Sequence, residues 1–341
     1  MAFAMSNRME NSVSAFQRDL CGALRFEREF ETGGSGTAQA IVDPLSSQGS
    51  LVTGRSGRFL FAVNAGDNTV SSFRVERGCL MLISVVPSGG VRPVSIAVHG
   101  NLLYVVNAGD VSNRALLFGF FVRQDGTLSP IPGSTALLSM TNPQPACAVF
   151  SPDGKWLVVS ERGTNQLVAY SVLKNGLLAD PTVTASSGAG PFGMTFTEEG
   201  VLLVTEVGPN ALSSYRLRRD GELEAVSASV PTNQRATCWV SVTPNGCWAY
   251  TSNAGTGTIS LFRVGRSGRL TLMESVPSTP LMNGGPIDSA IDPNGEFLYV
   301  LNGALGSISA FLLEREGHPS LIQIYENTDL PTVGAQGIAV I

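Results

Sequence analysis

The sequence predicts an all-β chain, a seven-bladed β-propeller of four-stranded antiparallel blades. Three observations lead there. Gly (38) and Pro (19) are frequent while charged residues are only 14%, which suits many short strands joined by tight turns. One pattern of Asn or Glu, turn and apolar strand recurs seven times along the 341 residues. The two ends of the chain are complementary fragments of a single repeat.

The seven copies read "AMSNRMENSVSAF" (4–16), "FAVNAGDNTVSSF" (61–73), "YVVNAGDVSNRALLF" (104–118), "VVSERGTNQLVAY" (158–170), "LVTEVGPNALSSY" (203–215), "YTSNAGTGTISLF" (250–262) and "YVLNGALGSISAF" (299–311). Their marker residues are Asn7, Asn64, Asn107, Glu161, Glu206, Asn253 and Asn302, spaced 43 to 57 residues apart. In several copies a second Asn follows four places later. Each repeat reads as four strands. Around Asn253 the first is 236–242, closed by the turn "TPNG". The second is 247–253 and the third 258–264; "RSG" then leads into the fourth, 269–276. Alternating Val, Ile, Phe and Tyr bounded by Gly, Pro and Asn is the pattern of half-buried antiparallel strands. Such a unit cannot bury both faces alone, and radial packing of seven hides all but short edges.

Asn7 ends a second strand with no first strand before it, and "AQGIAVI" (335–341) stops where a first strand would end. The C-terminal strand is therefore expected to close the ring by joining the N-terminal blade, making residues 1–341 one domain. A net charge of −5 with no basic run argues against a nucleic-acid groove. Apolar stretches are strand-sized, so no membrane span is expected, and no basic-then-apolar leader marks secretion. Five scattered cysteines with no CxxC pair predict neither disulfides nor zinc, and a reducing cytoplasm is the expected location.

The "SPDG"-type turns, the "FLYVLN" and "ISAF" strands, and the stretches 86–110 and 295–311 resemble the seven-bladed lactonase family. That family includes 6-phosphogluconolactonase-like proteins and fungal carboxymuconate cyclases, and the resemblance spans essentially the whole chain. It implies lactone hydrolysis or a related cyclisation or isomerisation. The positions that carry His and Arg in better-known members hold Gln144, Ala146 and Cys147, then Phe192 and Gly193, then Ala254. Glu206 is the acidic group nearest the family's Glu. With those Arg residues gone, the expected substrate is a small molecule of little or no charge.

In a propeller the marker and the start of the first strand share one face near the channel. There the sequence gathers the markers Asn64, Asn107, Asn253 and Asn302 with Gln144, Phe192, Arg235, Trp239 and Asp288. Glu161 and Glu206, in neighbouring blades, are the candidate general acid and base if both face one cavity. The bland reading of the Asn markers is hydrogen bonding to nearby backbone. With Asp288 the same carboxylates could bind calcium instead, a hard-oxygen set; otherwise no cofactor is expected. Cys147 and Cys238 lack a nearby His to serve as base, and His99 and His318 fall in turns. A non-catalytic propeller that binds a ligand or protein is the alternative class. The protein is expected to be a monomer.

Overall fold

The computed structural model describes every residue except 55, 77, 78, 141, 327 and 328. Seven antiparallel sheets are arranged as blades, each running from an inner to an outer strand. The inner strands of blades one to seven are Ile338–Val340, Leu51–Gly54, Pro93–His99, Pro145–Phe150, Pro191–Phe196, Thr237–Val242 and Pro286–Ile291. Each packs against the inner strands of both neighbouring blades, all the way round. The strands read around Asn253 appear as Thr237–Val242, Trp248–Asn253, Thr258–Val264 and Leu270–Pro277. In blades two to seven the second strand ends on the marker itself.

Closure is as expected. Ile338–Val340 pairs antiparallel with the N-terminal strand, Ala2 opposite Val340 and Ala4 opposite Ile338. Blade three departs from four strands: its outer edge is split into Leu128–Pro130 and Ala136–Leu137, both paired to Leu116–Val122. Pro130 and Pro132 supply no N–H for a continuous ladder there.

The core lies between blades. Phe59, Phe61, Tyr104 and Phe150 share one cluster, and Phe192, Trp239, Tyr299 and Ile287 another. At the rim, the glycine of an outer hairpin docks on the second strand of the preceding blade. Tyr104, Tyr250 and Tyr299 donate their hydroxyls to the carbonyls of Gly176, Gly317 and Gly22. All three glycines have positive φ and face an aromatic or aliphatic wall, so a side chain fits neither the backbone nor the space.

Candidate active site

The marker side chains do not point into the channel. Each lies within its blade, where the connection arriving from the previous outer strand crosses over it. That connection begins with a hydroxyl residue (Thr32, Ser88, Ser139, Ser186, Thr232 or Ser278) just past the outer strand. Asn64 accepts from Thr32 and donates to Thr69 and Ser71; Asn107 accepts from Ser88. Asn253 accepts from Thr237 and donates to Thr258 and Ser260, and Asn302 donates to Ser307 and Ser309. Asn7 donates to the Gly334 carbonyl of its arriving connection and also bonds Thr37, in the connection that leaves blade one.

The two glutamates behave alike, which corrects the expectation of a carboxylate pair facing one cavity. Glu161 is fully buried and accepts from the Ser139 N–H and hydroxyl and from Thr164. Glu206, also fully buried, accepts from the Gly188 N–H (2.7 Å) and from the hydroxyls of Ser186, Ser213 (2.7 Å) and Ser229. All these partners are donors, so a carboxylate suits these two positions where an amide suits the other five. The second strand is one row out from the axis, and its marker turns toward the crossing connection. Among the described residues, no three His, Cys, Asp or Glu side chains come together as a metal site.

The Asn four places after the marker staples blade to blade. Asn68, Asn165 and Asn210 sit in hairpin turns with positive φ. Their Oδ1 atoms accept, at 2.7 Å, from the N–H groups of Arg92, Gly190 and Ala236, which begin the next blade. These donor residues are themselves left-handed, as are Gln144 and Gly285 in two further blades. For Arg92, Gln144 and Ala236 that backbone is strained.

Arg92 and Gln144 line a cavity of about 990 Å³ on the marker face, together with Leu45, Ser46, Asp110 and Arg162. Clefts on the opposite, turn-bearing face measure about 610, 370 and 420 Å³. Arg162 donates through Nε and Nη2 to Gln144 Oε1 (3.2 and 3.1 Å) and lies 5.9 Å from the Phe192 ring. Arg92 donates to the Pro44 carbonyl at 3.3 Å. Both guanidiniums are held by neutral oxygens, so their charges remain available to a ligand. Asp110 is turned to its own loop, accepting from the N–H groups of Ser112 and Asn113, which hold its carboxyl below the usual range.

The floor of this cavity is a segment the sequence reading did not single out. The connection 32–50 crosses the channel mouth and descends into it. Inner strands leave unpaired backbone groups on the channel side, and this plug satisfies them. Ser47 donates to Val94 O, Gln48 N–H to Ala146 O, and Gly49 O accepts from Ile96 N–H. The Gln48 amide donates to Met194 O and Val240 O and accepts from Val240 N–H. Trp239, buried edge-on against Phe192 at 5.3 Å, donates Nε1–H to Ser47 O. The expected pocket wall of Trp239 and Phe192 is thus packing beneath the plug.

Two acids accompany the plug. Asp288 accepts from the N–H groups of Gly337 and Gly49; burial, then the charge of Asp43, push it well above its ordinary range. Asp43 accepts from Gln336 Nε2 at 2.8 Å and from the N–H groups of Ser46 and Ser47. Burial pushes its carboxyl up to about 6, against the opposing pull of those donors and of Arg162. Part of its surface stays accessible, and Leu45 and Ser46, the second and third residues after it, line the cavity. Cys147 and Cys238 are buried thiols pushed up to about 12 by desolvation. Arg235 is exposed, and its backbone bonds Thr256 and Gly255. His99 lies on the turn face near Phe150, and His318 bonds Glu274. The longest marker spacing, 57 residues between Asn7 and Asn64, was the one sequence sign of the plug.

Comparison with known proteins fits this architecture. The chain is 24% identical over 255 residues to a 6-phosphogluconolactonase of Bacillus subtilis, covering 69% of this chain and 72% of that one. A 6-phosphogluconolactonase of Formosa agariphila is 30% identical over 193 residues, 51% and 52% of the two chains. The periplasmic gluconolactonase of Pseudomonas aeruginosa shares the fold with a TM-score of 0.75 at 19% identity, over 100% of this chain and 99% of that one. The family pattern described as "Lactonase, 7-bladed beta-propeller" matches residues 47–332. Asp43 and Gln336 lie just outside that match, at its two edges. The chain belongs to the seven-bladed lactonase family of β-propellers.

Proposed function

We propose that the protein hydrolyses a lactone that carries an anionic group, bound in the marker-face cavity. The observation that carries this reading is that two guanidiniums with no ion pair among the described residues line this cavity, while Asp43, bonded to the N–H of the lining residue Ser46 and under the field of Arg162, sits just behind its wall with a raised proton affinity. The relatives named for 6-phosphogluconolactone hydrolysis support the reaction class. Arg92 and Arg162 replace the uncharged substrate expected from the sequence with an anionic one.

Asp43, ionised above pH about 6, takes a proton from water as the water oxygen attacks the lactone carbonyl. Arg162 stabilises the tetrahedral oxyanion, and Arg92 holds the remote anion. The bond from carbonyl carbon to ring oxygen then breaks, and the leaving alkoxide recovers the proton from Asp43. The product is the open hydroxy acid. We place the enzyme in the cytoplasm as a monomer, a setting in which its five free cysteines stay reduced.

The test compares glucono-δ-lactone with its 6-phosphate, each corrected for spontaneous opening. The phosphorylated lactone is expected to give at least about tenfold higher kcat/KM, and Asp43→Asn to lower kcat roughly 10²–10⁴-fold. Binding of either lactone without acceleration would instead favour the non-catalytic propeller.

A further inference from the structure

Gln336 stands where the closing strand meets the plug, and it is fully buried. Its Oε1 accepts from Leu45 N–H at 2.8 Å. Its Nε2 donates to Asp43 Oδ1 and to Ser47 O, both at 2.8 Å. Its own backbone N–H is fixed by Met5 O in the N-terminal strand, as Met5 N–H is by Gly337 O. One amide side chain therefore ties together the seam of the ring, the plug and the acid behind the cavity-lining residues Leu45 and Ser46. A latch for the plug alone requires only the bonds to Leu45 and Ser47. The third bond, to the carboxylate, is the one that acts on chemistry.

We propose that Gln336 is a positioning residue for proton transfer, holding the Asp43 carboxylate in place and delivering it only when the ring is closed. This rests on the reading of Asp43 as the base. Donation to the ionised carboxylate favours that form. The other groups that bear on Asp43 are Arg162 of blade four, which favours its ionisation, and Asp288 of blade seven, whose own proton affinity the Asp43 charge raises. Cys238 of blade six also faces it and stays a neutral thiol.

The experiment is the pH profile of kcat/KM for glucono-δ-lactone 6-phosphate with full-length Gln336→Met, Gln336→Glu and Asp43→Asn proteins. Loss of the donor in Gln336→Met is expected to move the acid limb upward by about one pH unit. Gln336→Glu, which adds a like charge, moves it further. Gln336→Glu keeps an acceptor for Leu45 N–H, so it carries the test if the Met variant does not fold. An acid limb unmoved in the folded variants, while Asp43→Asn is inactive, overturns the role of Gln336 and leaves the base assignment standing. Full activity of Asp43→Asn overturns the base assignment itself, and the proposal with it.

Discussion

At the scale of single residues, the same side chain types do opposite work according to which way the strand turns them. Glu206 has donors on both oxygens and no exposure, so its carboxylate is an anchor for the crossing connection. Glu206→Gln is expected to destabilise the fold by about 1–3 kcal/mol, since one amide arm meets donors. The kcat/KM of the folded fraction should be unchanged; thermal melts and active-site-normalised kinetics check both. Asp43 is the converse. Its carboxyl is raised to about 6, so the folded state binds its proton more tightly than the unfolded chain, and stability falls as pH rises from about 4 to 6. Asp43→Asn should therefore melt higher than the parent at pH 8 and the same at pH 4, while losing activity. The marker positions were legible in the sequence, and so was their shared face. Their side-chain direction was not, because it depends on a connection from the previous blade that no single repeat contains. Nor did residue type distinguish Asp43, a lone acid before a proline, from any turn aspartate.

At the scale of elements, the four strands around Asn253 were readable to within a residue because turn signals and alternation agree with one another, whereas the closing strand is shorter than the 335–341 read for it. The plug was not readable, having neither periodicity nor secondary structure of its own. It is held by hydrogen bonds to inner strands that are distant in sequence, such as those of Gln48 to Met194 and Val240. Removing that amide takes their partner from the Val240 N–H and from the Met194 and Val240 carbonyls. Gln48→Ala is expected to cost about 2–4 kcal/mol, measured by denaturant unfolding. Hydrogen exchange should rise at Val240 before it rises in the outer strands.

At the scale of the whole molecule, closure between the N- and C-terminal strands could be read because each end lacks what the other supplies. The ion pair that reinforces this seam could not, since its partners are 274 residues apart. Arg18 of blade one reaches Asp292 of blade seven at 2.7 Å, with Asp292 fully buried. Burial pushes this carboxyl up, but Arg18 and the N–H groups of Phe297 and Glu296 outweigh it and leave it below its ordinary range. The pair therefore contributes stability above the ordinary carboxylate pKa and loses it as pH falls through the lowered one. Asp292→Asn should be less stable than the parent by about 1–3 kcal/mol at pH 7, because it removes the partner of the partly exposed Arg18 and a carboxylate that accepts from two backbone N–H groups. The gap should narrow in melts taken toward pH 3.

Because the segment from Pro44 to Ser50 fills the axis, there is no passage from one face to the other, and at the site proposed above a reactant arrives, and its product departs, by the marker face alone. The turn face is then free for attachment. Cys247, an exposed thiol in the "TPNGC" turn, offers a tether there once the other exposed thiols, Cys21 and Cys79, are replaced. Anchored to a surface through Cys247, the protein should turn over at the rate of the free enzyme. A thiol introduced beside Arg92 and coupled to the same surface should silence it.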